Sequence, residues 1–159
     1  MTKIEDTVGR ISLVADAQPY DVDVLTDLFD AIRLWYEQDK TYPSVLRLRE
    51  RLTAALQAGI DVKDLNAVYS LMKRSYLLTA RDNFSDYMFY IEWDRKPAAR
   101  FYQPRMKYLA PMVQGYQDIL DGKLDLLTIS QPKRTGKSQV EIAKEREPLP
   151  MTRYFPSSD

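Results

Sequence analysis

The sequence contains no cysteine and no histidine. Those absences exclude disulfide scaffolds, zinc fingers, thiolate nucleophiles and every catalytic arrangement built on an imidazole. No apolar run approaches the roughly 20 residues needed to span a bilayer, and the opening MTKIEDTVGR lacks the basic-then-apolar order of a signal peptide. Net charge is also missing. Over 159 residues, 23 Lys and Arg balance 23 Asp and Glu, so a polyanionic partner would have to be recognised through a local cluster. No internal repeat is visible. These absences predict a soluble, cytoplasmic protein with no membrane partner, large enough for one ordinary domain and an appended fragment.

What is present is helical periodicity. Residues 1–21 are mixed, and Pro19 with Asp21 reads as a turn before the first strong helix. Within 22–40, Leu25, Leu28, Phe29, Ile32, Trp35 and Tyr36 recur at the spacing of one helical face. Tyr42-Pro43-Ser44 stops that helix, and Ser44 is the expected cap of the next. Its inward positions are Val45, Leu48, Leu52, Ala55 and Leu56, and Gly59 ends it. Asp61 opens a third helix with Leu65, Val68, Tyr69, Met72 and Tyr76 in line. A shorter helix over 85–94 turns Tyr87, Met88 and Ile91 inward. Another, from Pro104 to Asp121, presents Leu109, Met112, Val113, Tyr116 and Leu120 before Gly122 ends it. Amphipathic helices with short connections predict a small bundle. The tyrosines and Trp93 fall at helical spacing, which favours core positions over stacking platforms.

The segment 95–107, RKPAARFYQPRMK, differs in having five basic residues, no acidic one and two prolines. It reads either as a DNA-phosphate contact or as a solvated connector whose aromatics plug into the bundle, and the small charge count favours the connector. Then comes LDLLTIS, 124–130, whose length and flanks predict a buried parallel strand. QPKRTGKS, 131–138, follows, and a helix is expected over 138–147. A strand, a loop ending in Gly-Lys-Ser and a helix are the context a P-loop requires. The amides of Thr135, Gly136, Lys137 and Ser138 would face phosphate at a helix N-terminus. Lys137 would reach the β and γ phosphates of ATP, and the Ser138 hydroxyl would bind Mg²⁺. Gln131 stands where the common pattern has its first glycine. The plainer reading of Gly-Lys-Ser is an exposed basic turn.

Several segments in this order resemble the large terminase subunits of tailed phages, ATP-driven motors that package viral DNA. Pro132-Lys133-Arg134-Thr135-Gly136-Lys137-Ser138 is similar to their P-loop variant, in which the first glycine is often lost and basic residues precede Gly-Lys-Ser. Glu92-Trp93-Asp94-Arg95, then Phe101-Tyr102-Gln103-Pro104-Arg105, resembles the segment before the ATPase core. Tyr116-Gln117 resembles the adenine-recognising glutamine motif. The resemblance covers roughly 75–140. It implies Arg134, or else Lys133, as an arginine finger in cis. It also implies ATP and Mg²⁺ as ligands, and viral DNA, the small terminase subunit and the portal as partners, in a host cell's cytoplasm.

The expected fold is therefore mainly α. A helical bundle, 1–94, is followed by a basic connector and helix with the adenine motif, 95–123. The strand, P-loop and helix of an incomplete α/β ATPase core take up 124–147, and a loose tail 148–159. The resemblance places the Walker B and nuclease carboxylates beyond these residues, so the chain is expected to be a truncated or interrupted motor, inactive in hydrolysis alone. The rival expectation is a small helical adaptor acting through protein contacts, with an incidental Gly-Lys-Ser.

Overall fold

Between Leu25 and Tyr36 the apolar stripe becomes one buried helical face: Leu25, Leu28, Phe29, Ile32 and Tyr36 are all at most 3% exposed. The structure is a computed structural model that describes residues 3–130 and Val140. It contains α1 (Lys3–Ala17), α2 (Val22–Asp39), α3 (Tyr42–Gln57), α4 (Val62–Thr79), α5 (Phe84–Ile91), a 3₁₀ turn (Pro97–Ala99) and α6 (Tyr102–Leu120). The protein is thus mainly α. It divides into two compact units, the first ending at Leu78 and the second beginning at Thr79.

In the first unit, α1 and α3 each pack against α2. Asp21 caps α2 by accepting from the Asp23 and Val24 amides at 2.9 and 3.1 Å, which satisfies donors left open in the first turn. Lys40 closes the helix in the left-handed conformation, φ 53°. Val45, Leu48, Leu52 and Ala55 of α3 are fully buried, as the spacing predicts. Two arginines tie α4 to its neighbours. Arg49 donates to the Ser75 hydroxyl at 3.1 Å and the Ser75 carbonyl at 2.8 Å, with its guanidinium 3.9 Å from the Tyr76 ring centroid. Arg74 lies 4.4 Å over the Phe29 ring.

Two sequence expectations change here. Residues 3–17 form a helix of their own, burying Val8 and Ala15. Its apolar stripe, Ile4, Val8, Ile11 and Ala15, is narrow, and the exposed Gly9 beside it costs about 1 kcal/mol relative to alanine in a helix interior. Ser44 does not cap α3. The helix starts three residues earlier, with Thr41 at the cap position and Pro43 in the first turn, and Ser44 is buried inside it. A proline fits a first turn because that turn needs no amide hydrogen from it.

The second unit is built on α5 against α6. Phe84, Met88 and Leu109 are fully buried, and Met112, Val113 and Tyr116 nearly so, in a cluster that Ile91, Leu127 and Ile129 flank. Leu120, expected inside, is 43% exposed. Gly122 turns the chain away from α6 at φ 69°, as expected of a helix-ending glycine. The sequence placed α5 with the preceding bundle, ending that domain at 94. In the structure α5 belongs with α6, and the division falls between Leu78 and Thr79.

Candidate functional site

The residues expected to hold phosphate and Mg²⁺ (Thr135, Gly136, Lys137 and Ser138), with Lys133 and Arg134 beside them, lie outside the described residues, as do the expected helix over 138–147, apart from Val140, and the tail 148–159. What the structure describes is their approach.

Leu124–Ser130 is not a strand among the described residues, because no second strand offers its backbone a ladder. It is nevertheless extended in character. Exposure alternates from Leu126 to Ser130: Leu127 and Ile129 are half-buried against the α5–α6 cluster, whereas Leu126, 80% exposed, Thr128 and Ser130 face outward. That period of two is the signature of a strand with one covered face. Leu127 enters a notch in α6 at Gly115, where an added Cβ would meet its Cδ1 at 2.9 Å. Among the described residues, the backbone of Asp125–Ser130 makes no hydrogen bond. Val140, helical and fully buried, joins the same cluster.

Gln117 and Tyr116 lie on α6 facing α5. Tyr116 is buried edge-on to Phe84, with ring centroids 5.8 Å apart. Gln117 clasps the start of α5. Its Oε1 accepts from the Phe84 amide at 2.7 Å, and its Nε2 donates to the Asp82 carbonyl at 3.0 Å and to Asp121 Oδ1 at 2.8 Å. Both amide hydrogens are thus engaged, leaving one lone pair on Oε1. Beyond it, the Lys123 ammonium, 2.7 Å from Asp121 Oδ2, and then the Gln117 amide hold the Asp121 carboxyl below its usual range. Asp121 in turn raises Lys123.

The connector after α5 is organised by Glu92, which the sequence marked only as part of the Glu92–Arg95 motif and not as a helix cap. Glu92 is fully buried. Its Oε1 accepts from the Phe101 amide at 2.5 Å, and its Oε2 from the Tyr102 and Gln103 amides at 2.7 and 3.3 Å. These are donors that α6 leaves open at its start, and Phe101 supplies no side-chain cap of its own. A carboxylate there also faces the positive end of the helix dipole. Arg95 approaches Glu92 at 3.4 Å. Arg100 donates to the Trp93 and Arg95 carbonyls at 3.2 and 3.1 Å and to the Gln103 side chain at 2.9 Å. Arg105 stacks 4.4 Å over Phe101. Three of the five basic residues in 95–107 are therefore engaged in shaping the connector. The sequence gives no local signal for this, since nine residues separate Glu92 from its first amide partner.

Among the described residues, no group of three acidic side chains is placed to hold a metal ion, and no helix is long and apolar enough to cross a membrane. Comparison with family models, curated proteins and solved structures finds no match.

Proposed function

We propose that the chain is the front of a DNA-packaging motor of the terminase large-subunit type, comprising its helical N-terminal region, first core strand and phosphate-binding loop. The observation that carries this reading is the run Leu124–Ser130. It is alternately covered from Leu126 on, pinned into α6 at Gly115, without backbone hydrogen bonds over Asp125–Ser130 among the described residues, and leads through Gln131 into Pro132–Ser138. A phosphate cradle needs an extended segment fixed before it and a helix after it. Val140 supplies a buried helical residue two positions past Ser138.

In this reading the amides of Thr135–Ser138 and the Lys137 ammonium bind the phosphates of ATP, and the Ser138 hydroxyl takes Mg²⁺. Arg134, or else Lys133, meets the γ-phosphate. Gln117 can accept from adenine through its remaining lone pair but cannot donate without releasing the Asp82 carbonyl or the Asp121 carboxylate. Turnover requires a Walker B carboxylate and a glutamate that activates water, both carried on further strands. The proposal for these residues is therefore nucleotide binding. Viral DNA, the small subunit and the portal are the partners that the motor reading brings with it.

Titration of the purified chain with Mg-ATP tests this. Saturable binding with a dissociation constant below about 1 mM, weakened at least about tenfold by Lys137→Ala, is expected. Absence of saturable binding at that level removes the nucleotide reading. A second reading, a helical adaptor, is favoured by a groove in the first unit.

A further inference from the structure

We propose that the groove walled by α1 and α3 and floored by α2 is a docking site for an acidic amphipathic helix of a partner protein. The inference stands whether or not the chain binds nucleotide, because every residue it uses lies in the first unit.

The groove measures about 940 Å³. Its floor is apolar: Val8, Leu28, Ile32 and Leu48 line it, all at most 6% exposed. Leu13, 71% exposed, and Trp35 stand at its edge. The Trp35 indole N–H donates to Asp39 Oδ2 at 3.0 Å, which fixes the ring as part of the wall. A helix laid in such a groove would rest anchors at i, i+3 or i+4, and i+7 against Leu13 and Trp35, the apolar lining that keeps open surface.

The charge around the floor selects the sign of the occupant. Lys3 and Arg10 on α1 and Arg47 and Arg51 on α3 face only Glu5 and Asp6 among the lining residues. Arg51 is already neutralised by Asp16 at 2.7 Å. Arg10 and Arg47, on opposite walls, form no ion pair among the described residues. Carboxylates on both flanks of an incoming helix would meet them, and opposite potentials across an interface set specificity and speed association.

Gly9 supplies the independent observation. It lines the groove in the middle of α1, where glycine is the poorest helix former after proline. The chain's own packing does not require it, because a Cβ built there meets nothing within 4 Å. A helix residue that weakens its own helix without serving its own fold leaves an open notch in the wall, into which an occupant's side chain or backbone can come close.

The test uses the full chain and two synthetic helical peptides of about 14 residues, ~21 Å long. Both carry leucines at one face, and their flanking positions are all glutamate in one and all lysine in the other. By calorimetry the glutamate peptide binds saturably, whereas the lysine peptide binds at least about tenfold more weakly. Arg47→Glu melts as the parent chain does but binds the glutamate peptide about tenfold more weakly. Gly9→Ala moves stability and binding in opposite directions: the melting temperature rises by about 4 °C, while affinity falls about fivefold as the notch fills. Equal binding of the two peptides, no saturable binding at about 1 mM, or a glutamate-peptide affinity unchanged by both substitutions would overturn the proposal.

Discussion

The two units of this protein are held by different means. The first is assembled from long helices whose buried faces run in register with the 3.6-residue period, with Arg49 and Arg74 as polar additions. The second has only one long helix among the described residues, and its short elements are fixed by polar side chains reaching along the chain: the buried Glu92 to the start of α6, the half-buried Gln117 to the start of α5, and the buried pair Thr79 and Asp86 at 2.6 Å. Apolar periodicity is additive and local, so it survives in the sequence. A polar side chain that caps a helix ten or thirty residues away leaves no such pattern, because its partners are backbone amides that every residue carries.

Substitutions can break this comparison or sharpen it. The largest effect is expected at Glu92. Replacing it with alanine leaves the amides of Phe101, Tyr102 and Gln103 buried or half-buried without an acceptor, and destabilises the second unit by about 4 kcal/mol, read by urea unfolding. Glu92→Gln keeps the shape and one acceptor, and is expected to cost about half as much. A loss under about 1 kcal/mol for alanine would mean that apolar contacts dominate in this unit, as they do in the first.

In the first unit the counterpart is Leu52, fully buried on α3. Leu52→Ala is expected to cost about 3 kcal/mol through the cavity it opens. The signal of α1–α4 should weaken together, which amide exchange can follow. If only α3 lost protection, the first unit would not be one cooperative core.

The smallest effect is at the exposed pair beyond Gln117. Asp121 has its folded pKa lowered, so any stability it contributes is present above its unfolded value and lost as pH falls through the folded one, on the acid side of ordinary carboxylates. Lys123 has the opposite sign. Its contribution is present below its unfolded value and lost as pH rises through the raised one, above ordinary lysines. Lys123→Met should move the Asp121 titration upward by NMR while leaving the neutral-pH melting temperature nearly unchanged, since such surface pairs are screened by solvent. An unmoved titration would assign the shift to Gln117 instead.

Much of the fold was legible. The stripes of α2 and α3 predicted their buried residues, and Gly59 and Gly122 marked chain turns that the backbone makes at φ 74° and 69°. α1 was missed because its stripe is narrow and Gly9 is a poor helix former in the middle of it. The α3 cap was misplaced because Pro43 reads as a stop, yet it is also a good first-turn residue. At the candidate site, the sequence isolated the run Leu124–Ser130 and the glutamine on α6. It could not show that Gln117 is spent on latching α5, or that Leu127 uses Gly115 as its socket.

By itself, the sequence determined which stretches become helices and which side of each turns inward, since both follow from side-chain spacing along one element. Only the tertiary structure decided what the polar residues between those elements do. A carboxylate or an amide has no function until folding brings a particular donor within hydrogen-bonding distance. In this chain the donors that fix Glu92 and Gln117 are backbone groups 9 to 33 residues away.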